Sequence, residues 1–132
     1  MITMTLKEAN KTLEGLNLLG SLHLPAQLAF AIAKNRKNLI NELFIADEQK
    51  EKLISEYADK GYIEIEKETG KIIYKNEQEK EKFLKKYNEL YNVKTDIDIK
   101  KINYETIQEC ENETFDTLSV DCINVLLFML EE

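Results

Sequence analysis

Apolar residues recur at helical spacing through a long, uninterrupted part of the chain. No proline or glycine occurs between residues 26 and 60. A stripe from Leu28 to Tyr57 advances by about 3.6 residues per step, the period of a straight helix with one buried face. Pro25 suits the first position of such a helix, because its missing N–H has no partner there in any case. The pattern predicts one helix over residues 25–60.

The length of this helix bears on the shape of the molecule. At about 1.5 Å per residue it measures about 52 Å. A compact chain of this size has a diameter of roughly 36 Å. The helix is therefore expected either to break near residues 45–47 or to give an elongated molecule, and we favour the elongated form.

Shorter patterns predict the remaining elements. Thr5 and Glu8 have the spacing of a capping box and open an N-terminal helix. The predicted ranges are 1–20 for this helix, 62–75 for a β-hairpin, 77–92 for a third helix, 95–101 for a strand and 116–131 for a C-terminal helix. The strand is expected to pair with the hairpin or to lie alone on a helix, and an irregular acidic stretch follows it. The last helix is apolar on nearly all sides, so we expect it to be buried by its own chain or by a partner.

Together these elements define a mainly α fold (α+β) in a single domain spanning residues 1–132. We expect an extended antiparallel helical hairpin with a small β-hairpin at its tip, an additional short strand and a buried apolar C-terminal helix. A two-stranded ribbon is only marginally stable alone, so the helices must support it.

Composition and charge narrow the classes of function. Of the 132 residues, 43% are hydrophobic, which is enough for a folded core. The 18 basic and 25 acidic residues give a net charge of −7, which argues against direct binding to nucleic acid or to an anionic membrane. The charge is uneven, because residues 102–132 hold eight acids and no Lys or Arg.

The expected compartment is the cytoplasm. The N-terminus lacks the pattern of a secretory signal, and no apolar stretch is long enough to span a bilayer. Cys110 and Cys122 stand apart, without metal-binding spacing, and are expected to be reduced thiols.

Few residues are suited to catalysis. His23 is the only histidine, and no neighbour has the character of a nucleophile that it would activate. Asp96 and Asp98 share one face of the predicted strand and would suit a hard cation, but no third ligand is nearby, and a solvated edge strand explains them as well. The sequence therefore predicts a protein that is not an enzyme and has no cofactor or metal.

A basic cluster on the long helix is the first candidate for binding a partner. Lys34, Arg36 and Lys37 lie within four residues, and Arg36 is the only arginine of the chain. Arginine pairs well with carboxylates and phosphates. The cluster is expected to contact an acidic partner or the acidic tail of its own or another chain, unless it is simply a solvated helix face.

Three tyrosines are the second candidate. Tyr57, Tyr62 and Tyr74 are expected near the tip of the hairpin, where they would form an interface, because tyrosine combines a large apolar ring with a polar edge. The alternative is that they are ordinary half-buried residues.

The acidic C-terminal quarter is the third candidate. Glu109, Glu111 and Glu113 belong to this uncompensated stretch, which would imitate DNA phosphates in the basic groove of a partner. A solvated acidic loop is the alternative.

Beyond these patterns, the chain resembles an uncharacterised family of small proteins from phages and prophages of Gram-positive bacteria. The resemblance covers about Leu24 to the end. Its residues are Leu24-Pro25, Ala33-Lys34-Asn35, Glu42, Leu53 to Tyr57, Glu89-Leu90, Val93 to Ile99 and the terminal Glu131-Glu132. It implies a phage context, hence the cytoplasm of the host cell, but no activity and no functional residue.

These observations lead to a ranked set of functional hypotheses. The first is a small, non-enzymatic, phage-encoded protein that binds and inhibits a host defence protein. The alternative is a virion morphogenesis factor or assembly chaperone, and a metal-dependent enzyme using Asp96 and Asp98 ranks third. A homodimer is compatible with the first two.

Overall fold

Helices dominate the structure, a computed structural model that describes residues 1–112 and 114–131. Its strands and helices, in chain order, are β1 (Ile2–Thr5), α1 (Leu6–Leu18), α2 (Ala26–Asp59), β2 (Ile63–Ile65), β3 (Ile72–Tyr74), α3 (Glu77–Tyr91), β4 (Lys94–Ile97), α4 (Tyr104–Gln108) and α5 (Val120–Leu126). Short 3-10 turns follow α4 and α5, at Glu109–Glu111 and Leu127–Met129. The prediction of a mainly α fold with a long helix, a β-hairpin and a C-terminal helix is confirmed.

The chain divides into two compact units. Unit 1 comprises Met1–Leu43 and Lys94–Glu132, and unit 2 comprises Phe44–Val93. The division falls within α2, so each unit contains part of this helix. The single domain expected from the chain length stays a prediction.

The long helix α2 runs through residues 45–47 without a break, so the alternative of a broken helix is wrong. Gly61 follows its end with a φ of 76°, a conformation that suits glycine. The predicted apolar stripe is buried at Leu28, Ile32, Leu39, Ala46 and Tyr57, whereas Leu43 and Leu53 are half-buried and the neighbouring Ile54 is buried instead. Across the part of the chain that the structure describes, no helix has both the length and the apolar character needed to cross a membrane.

In unit 1, the first residues form a strand that the sequence prediction missed. β1 pairs antiparallel with β4, with Ile2 opposite Ile97. The helix predicted over residues 1–20 therefore begins only at Leu6, after Thr5, whose side chain and that of Glu8 make the predicted capping box. Four residues are too few to show a period, and the partner strand lies far along the sequence, so no local pattern revealed this strand.

The strand predicted over residues 95–101 ends early. β4 pairs with β1 rather than with the hairpin, which corrects the expectation, and it stops at Ile97. Two asparagines of α2 then hold the segment that follows. Asn38 donates to the carbonyl of Asp98 at 2.8 Å, and buried Asn35 donates to the carbonyl of Lys100 at 3.0 Å while accepting from its N–H at 2.7 Å.

The C-terminal region differs in detail from the prediction of one buried helix over residues 116–131. Ser119 caps α5, which is short and continues as a 3-10 turn. Burial is one-sided, because Leu126 and Met129 are fully buried whereas Val120 is 74% and Leu127 55% exposed. The stretch expected to be irregular contains the short helix α4.

Unit 2 contains the predicted helical hairpin. The ring of Tyr57 on α2 lies 5.4 Å from that of Phe83 on α3, and Lys50 of α2 lies over the ring of Tyr87. The later residue of α2 thus contacts the earlier residue of α3, and the earlier residue of α2 contacts the later one of α3. The two helices are therefore antiparallel. β2 and β3 form the hairpin, whose turn uses Gly70 at a φ of 71°.

Candidate partner-binding surfaces

The predicted basic cluster on α2 divides into two parts. Lys34 and Lys37 are exposed on α2, outside its buried stripe. Arg36 is half-buried, and its Nε donates to Oδ1 of Asn17 on α1 at 2.9 Å. Arg36 therefore joins two helices of unit 1, and the two lysines remain directed to solvent.

Two further exposed lysines, which the sequence analysis missed, follow β4 in the chain and lie next to α2. The bonds of Asn35 to the backbone of Lys100 place Lys100 and Lys101 next to α2, and both lysines are exposed. The segment after β4 thus brings two positive charges next to α2, in addition to those of Lys34 and Lys37 on the helix itself.

An open cavity of about 490 Å³ separates the start of α2 from this segment. Its lining residues are Ala26, Gln27, Phe30, Lys100, Lys101, Ile102, Asn103, Thr106 and Glu131. Phe30 is 61% exposed, although it is large and apolar. Thr106 is buried, but its hydroxyl already donates to Oδ1 of Asn103 at 2.8 Å.

We call Phe30, Lys34, Lys37, Lys100 and Lys101 the basic surface. The ion pairs among the described residues are Glu56–Lys60 and Glu79–Lys82, so none of these four lysines is paired. Glu131, which lines the same cavity, offsets part of the positive charge. Phe30 and Lys34 lie one helical turn apart, so a helical projection of the sequence would have found Phe30. No local pattern indicates the lysines that follow β4.

The three candidate tyrosines belong to the core of unit 2. Tyr57 is only 5% exposed, and its ring contacts those of Tyr62 at 5.8 Å and Phe83 at 5.4 Å. Tyr62 and Tyr74 are half-buried. The expectation of an exposed tyrosine interface is therefore corrected for Tyr57, whereas Tyr62 and Tyr74 are partly exposed.

These rings are part of a longer aromatic column. The ring centroids of Phe83 and Tyr87 are 6.2 Å apart, and those of Tyr87 and Tyr91 are 4.8 Å apart. Burial raises the pKa of Tyr91 to about 12, with further contributions from the Tyr87 phenol and the Asp47 carboxylate. Three lysines lie over rings of the column, in the pairs Lys50–Tyr87, Lys80–Tyr74 and Lys86–Tyr57, at 5.6–5.9 Å from the centroids.

The acidic candidates lie in and after the 3-10 turn that follows α4. Glu109 and Glu111 are exposed, and Glu113 lies outside the described residues. Cys110, between the first two, is buried, and its pKa is raised by this burial and by Glu109. A role for the three glutamates in binding stays a prediction.

The candidates for catalysis are not brought together. The Asp96 carboxylate accepts a hydrogen bond from the hydroxyl of Thr3 on β1. The His23 ring packs on Phe115 at 5.2 Å. The described ranges contain no cluster of three or more His, Cys, Asp or Glu residues suited to a metal ion. That the protein is not an enzyme and needs no cofactor stays a prediction.

No family model, curated protein or solved structure matches the chain. The resemblance to small phage proteins accordingly stays a prediction.

Proposed function

We propose that this protein is a non-enzymatic interaction protein that binds an acidic region of a partner protein through the basic surface. The observation that carries the proposal is an exposed aromatic ring, Phe30, beside an open cavity and four unpaired lysines. A large exposed apolar side chain with charges around it is typical of a binding surface. The lysines would select acidic partners and orient them, and Phe30 would supply the apolar contact.

A protein partner fits this surface better than nucleic acid does. The lysines form a small patch on a chain whose net charge is −7. Nucleic acid extends its negative charge well beyond such a patch, so the rest of the chain would repel it. A short acidic protein segment avoids this repulsion.

The resemblance to phage proteins suggests the setting in which this binding acts. We propose a phage-encoded protein in the host cytoplasm whose partner is a host defence protein, and that binding blocks the activity of this partner. Its small size and the lack of assembled catalytic groups among the described residues support binding rather than catalysis.

Charge reversal tests the surface directly. The probe is a fluorescently labelled peptide of alternating Glu and Leu residues, and binding is measured by anisotropy. We expect the wild type to bind and K34E/K37E to bind about tenfold more weakly, because two attractive contacts become repulsive. K67E/K71E, with the same charge change on exposed residues of the hairpin turn, is the matched control and should bind normally.

Two results would contradict the proposed surface. One is a K34E/K37E variant that binds the acidic peptide as tightly as the wild type. The other is tighter binding of a short DNA duplex than of the peptide, which would make nucleic acid the ligand.

Plating of a restricted phage tests the biological role. Expression of the wild type in a host that carries the matching defence system should raise the efficiency of plating, and K34E/K37E should lose this effect while K67E/K71E keeps it. If the wild type leaves plating unchanged across defended hosts, inhibition of defence is excluded as the role.

One observation favours the second candidate function, a virion assembly factor. Val120 and Leu127 are exposed and seven residues apart, so they lie on one face of the C-terminal helical segment. An apolar pair of this kind would hold a structural protein during assembly. V120S/L127S should then lower the yield of complete particles while K34E/K37E does not, and normal yield with V120S/L127S would argue against assembly.

A further inference from the structure

Unit 2 has a surface that the proposed function does not use. A groove of about 530 Å³ runs between the second half of α2 and α3. Its lining residues are Gln49, Lys52, Leu53, Glu56, Lys86, Glu89, Leu90 and Val93. Leu53 and Leu90 are half-buried and Val93 is 50% exposed, so the groove offers apolar contact area along its length.

The charges on both sides of this groove alternate in sign. Lys52 and Glu56 lie on α2, and Lys86 and Glu89 lie on α3. Glu56 already accepts a hydrogen bond from Lys60 at 3.0 Å, and Lys86 lies over the Tyr57 ring. Neither Lys52 nor Glu89 forms an ion pair within the part of the chain that the structure covers.

This charge pattern is complementary to itself. A two-fold axis perpendicular to α3 lays the α3 helices of two copies antiparallel, which reverses the order of Lys86 and Glu89. Each lysine then faces the glutamate of the other copy. A different partner with a predominance of one charge would gain at one of these residues and lose at the next.

We propose that two copies of this chain associate through the groove of unit 2, with α2 and α3 of each copy contributing to a four-helix contact. Leu53, Leu90 and Val93 supply the apolar contact area, and Lys86 and Glu89 set the antiparallel register. The groove and the basic surface have no residue in common, so this proposal is independent of the proposed function.

Sedimentation equilibrium of the full chain is the test. With rising concentration, the wild type should pass from 15.4 kDa towards twice that mass. K86E and E89K should each weaken association by on the order of tenfold, because each places like charges opposite one another. The double swap K86E/E89K restores opposite charges across the axis and should associate within about threefold of the wild type.

Matched variants show whether association depends on the groove itself. Glu89 is exposed, so E89K tests the contact even where K86E alters folding through the loss of the Tyr57 contact. K67E/E68K makes the same swap in the hairpin turn and should associate normally, as should K34E/K37E. A wild type that stays monomeric at millimolar concentration, a double swap that fails to restore association, or dissociation by K34E/K37E would each overturn the proposal.

Discussion

At the scale of single residues, Asn35 shows how one buried polar side chain positions a segment that is distant in the sequence. It lies in the buried stripe of α2, and its amide bonds both backbone groups of Lys100. It thereby replaces a strand partner for the segment that follows β4. Together with Asn38, it holds the segment that carries two lysines of the basic surface.

Replacement of Asn35 should therefore cost more stability than its size suggests. N35L keeps the branched shape of the side chain but leaves the N–H and C=O of Lys100 without partners, so we expect a loss of about 2 kcal/mol in the free energy of unfolding. Urea denaturation measures this loss. N38A, which removes a single bond to the backbone of Asp98, is the control and should cost about 1 kcal/mol or less. Equal losses in the two variants would refute the special role of Asn35.

Tyr91 makes stability depend on alkaline pH. Its pKa is raised from 10.0 to about 12, chiefly by burial, so the folded state favours the neutral phenol. This contribution is complete below pH 10 and is lost as pH rises through 12. We expect the unfolding midpoint to fall across this interval and Y91F to fall less steeply, as measured by thermal denaturation. Y104F, at an exposed site, should behave like the wild type, and a Y91F curve that matches the wild type would contradict the prediction.

At the scale of elements, the approach of α1 to α5 depends on one glycine. A Cβ built on Gly15 would lie 3.0 Å from Cγ1 and 3.1 Å from Cγ2 of Val125. The absence of a side chain at this position of α1 thus allows Val125 of α5 to pack closely on it.

Alanine at this position should have an effect opposite to the usual one. In a free helix, Gly to Ala stabilises by about 1 kcal/mol. In this chain, G15A should destabilise, because the overlap with Val125 costs about 1–3 kcal/mol. In the V125A background the overlap disappears, so G15A should become stabilising. Urea unfolding of the wild type, G15A, V125A and G15A/V125A measures these effects on stability. A stabilising effect of G15A in the wild-type background would show that the helices adjust freely.

The elements that were predicted correctly depend on neighbours in sequence. The capping box of Thr5 and Glu8, the uninterrupted stripe of α2 and the glycine turn at Gly70 are all local patterns, and each appears in the structure. Strand β1 and the early end of β4 depend on partners far along the chain, so local patterns could not reveal them. The same holds for the tyrosines, since their mutual contacts require the hairpin to be closed first.

At the scale of the whole molecule, the candidate site was only half predictable. Lys34 and Lys37 were found because they stand close together in the sequence. Lys100 and Lys101 are placed beside α2 by the bonds of Asn35 and Asn38 to the backbone of their segment, which no spacing shows. The net charge of −7 is a sum over the chain. It gave no indication of a local excess of positive charge.

The pairing of β1 with β4 has a consequence for the order of events during synthesis. Unit 1 is assembled from two segments that are separated in the chain by unit 2. All residues of unit 2 therefore leave the ribosome before β4 does. The helical hairpin of unit 2 can close while β1 is still unpaired. A ribosome-bound chain whose emerged part ends shortly before Lys94 would carry the aromatic column but an incomplete unit 1. The basic surface, which needs Lys100 and Lys101, is then among the last features of the molecule to form.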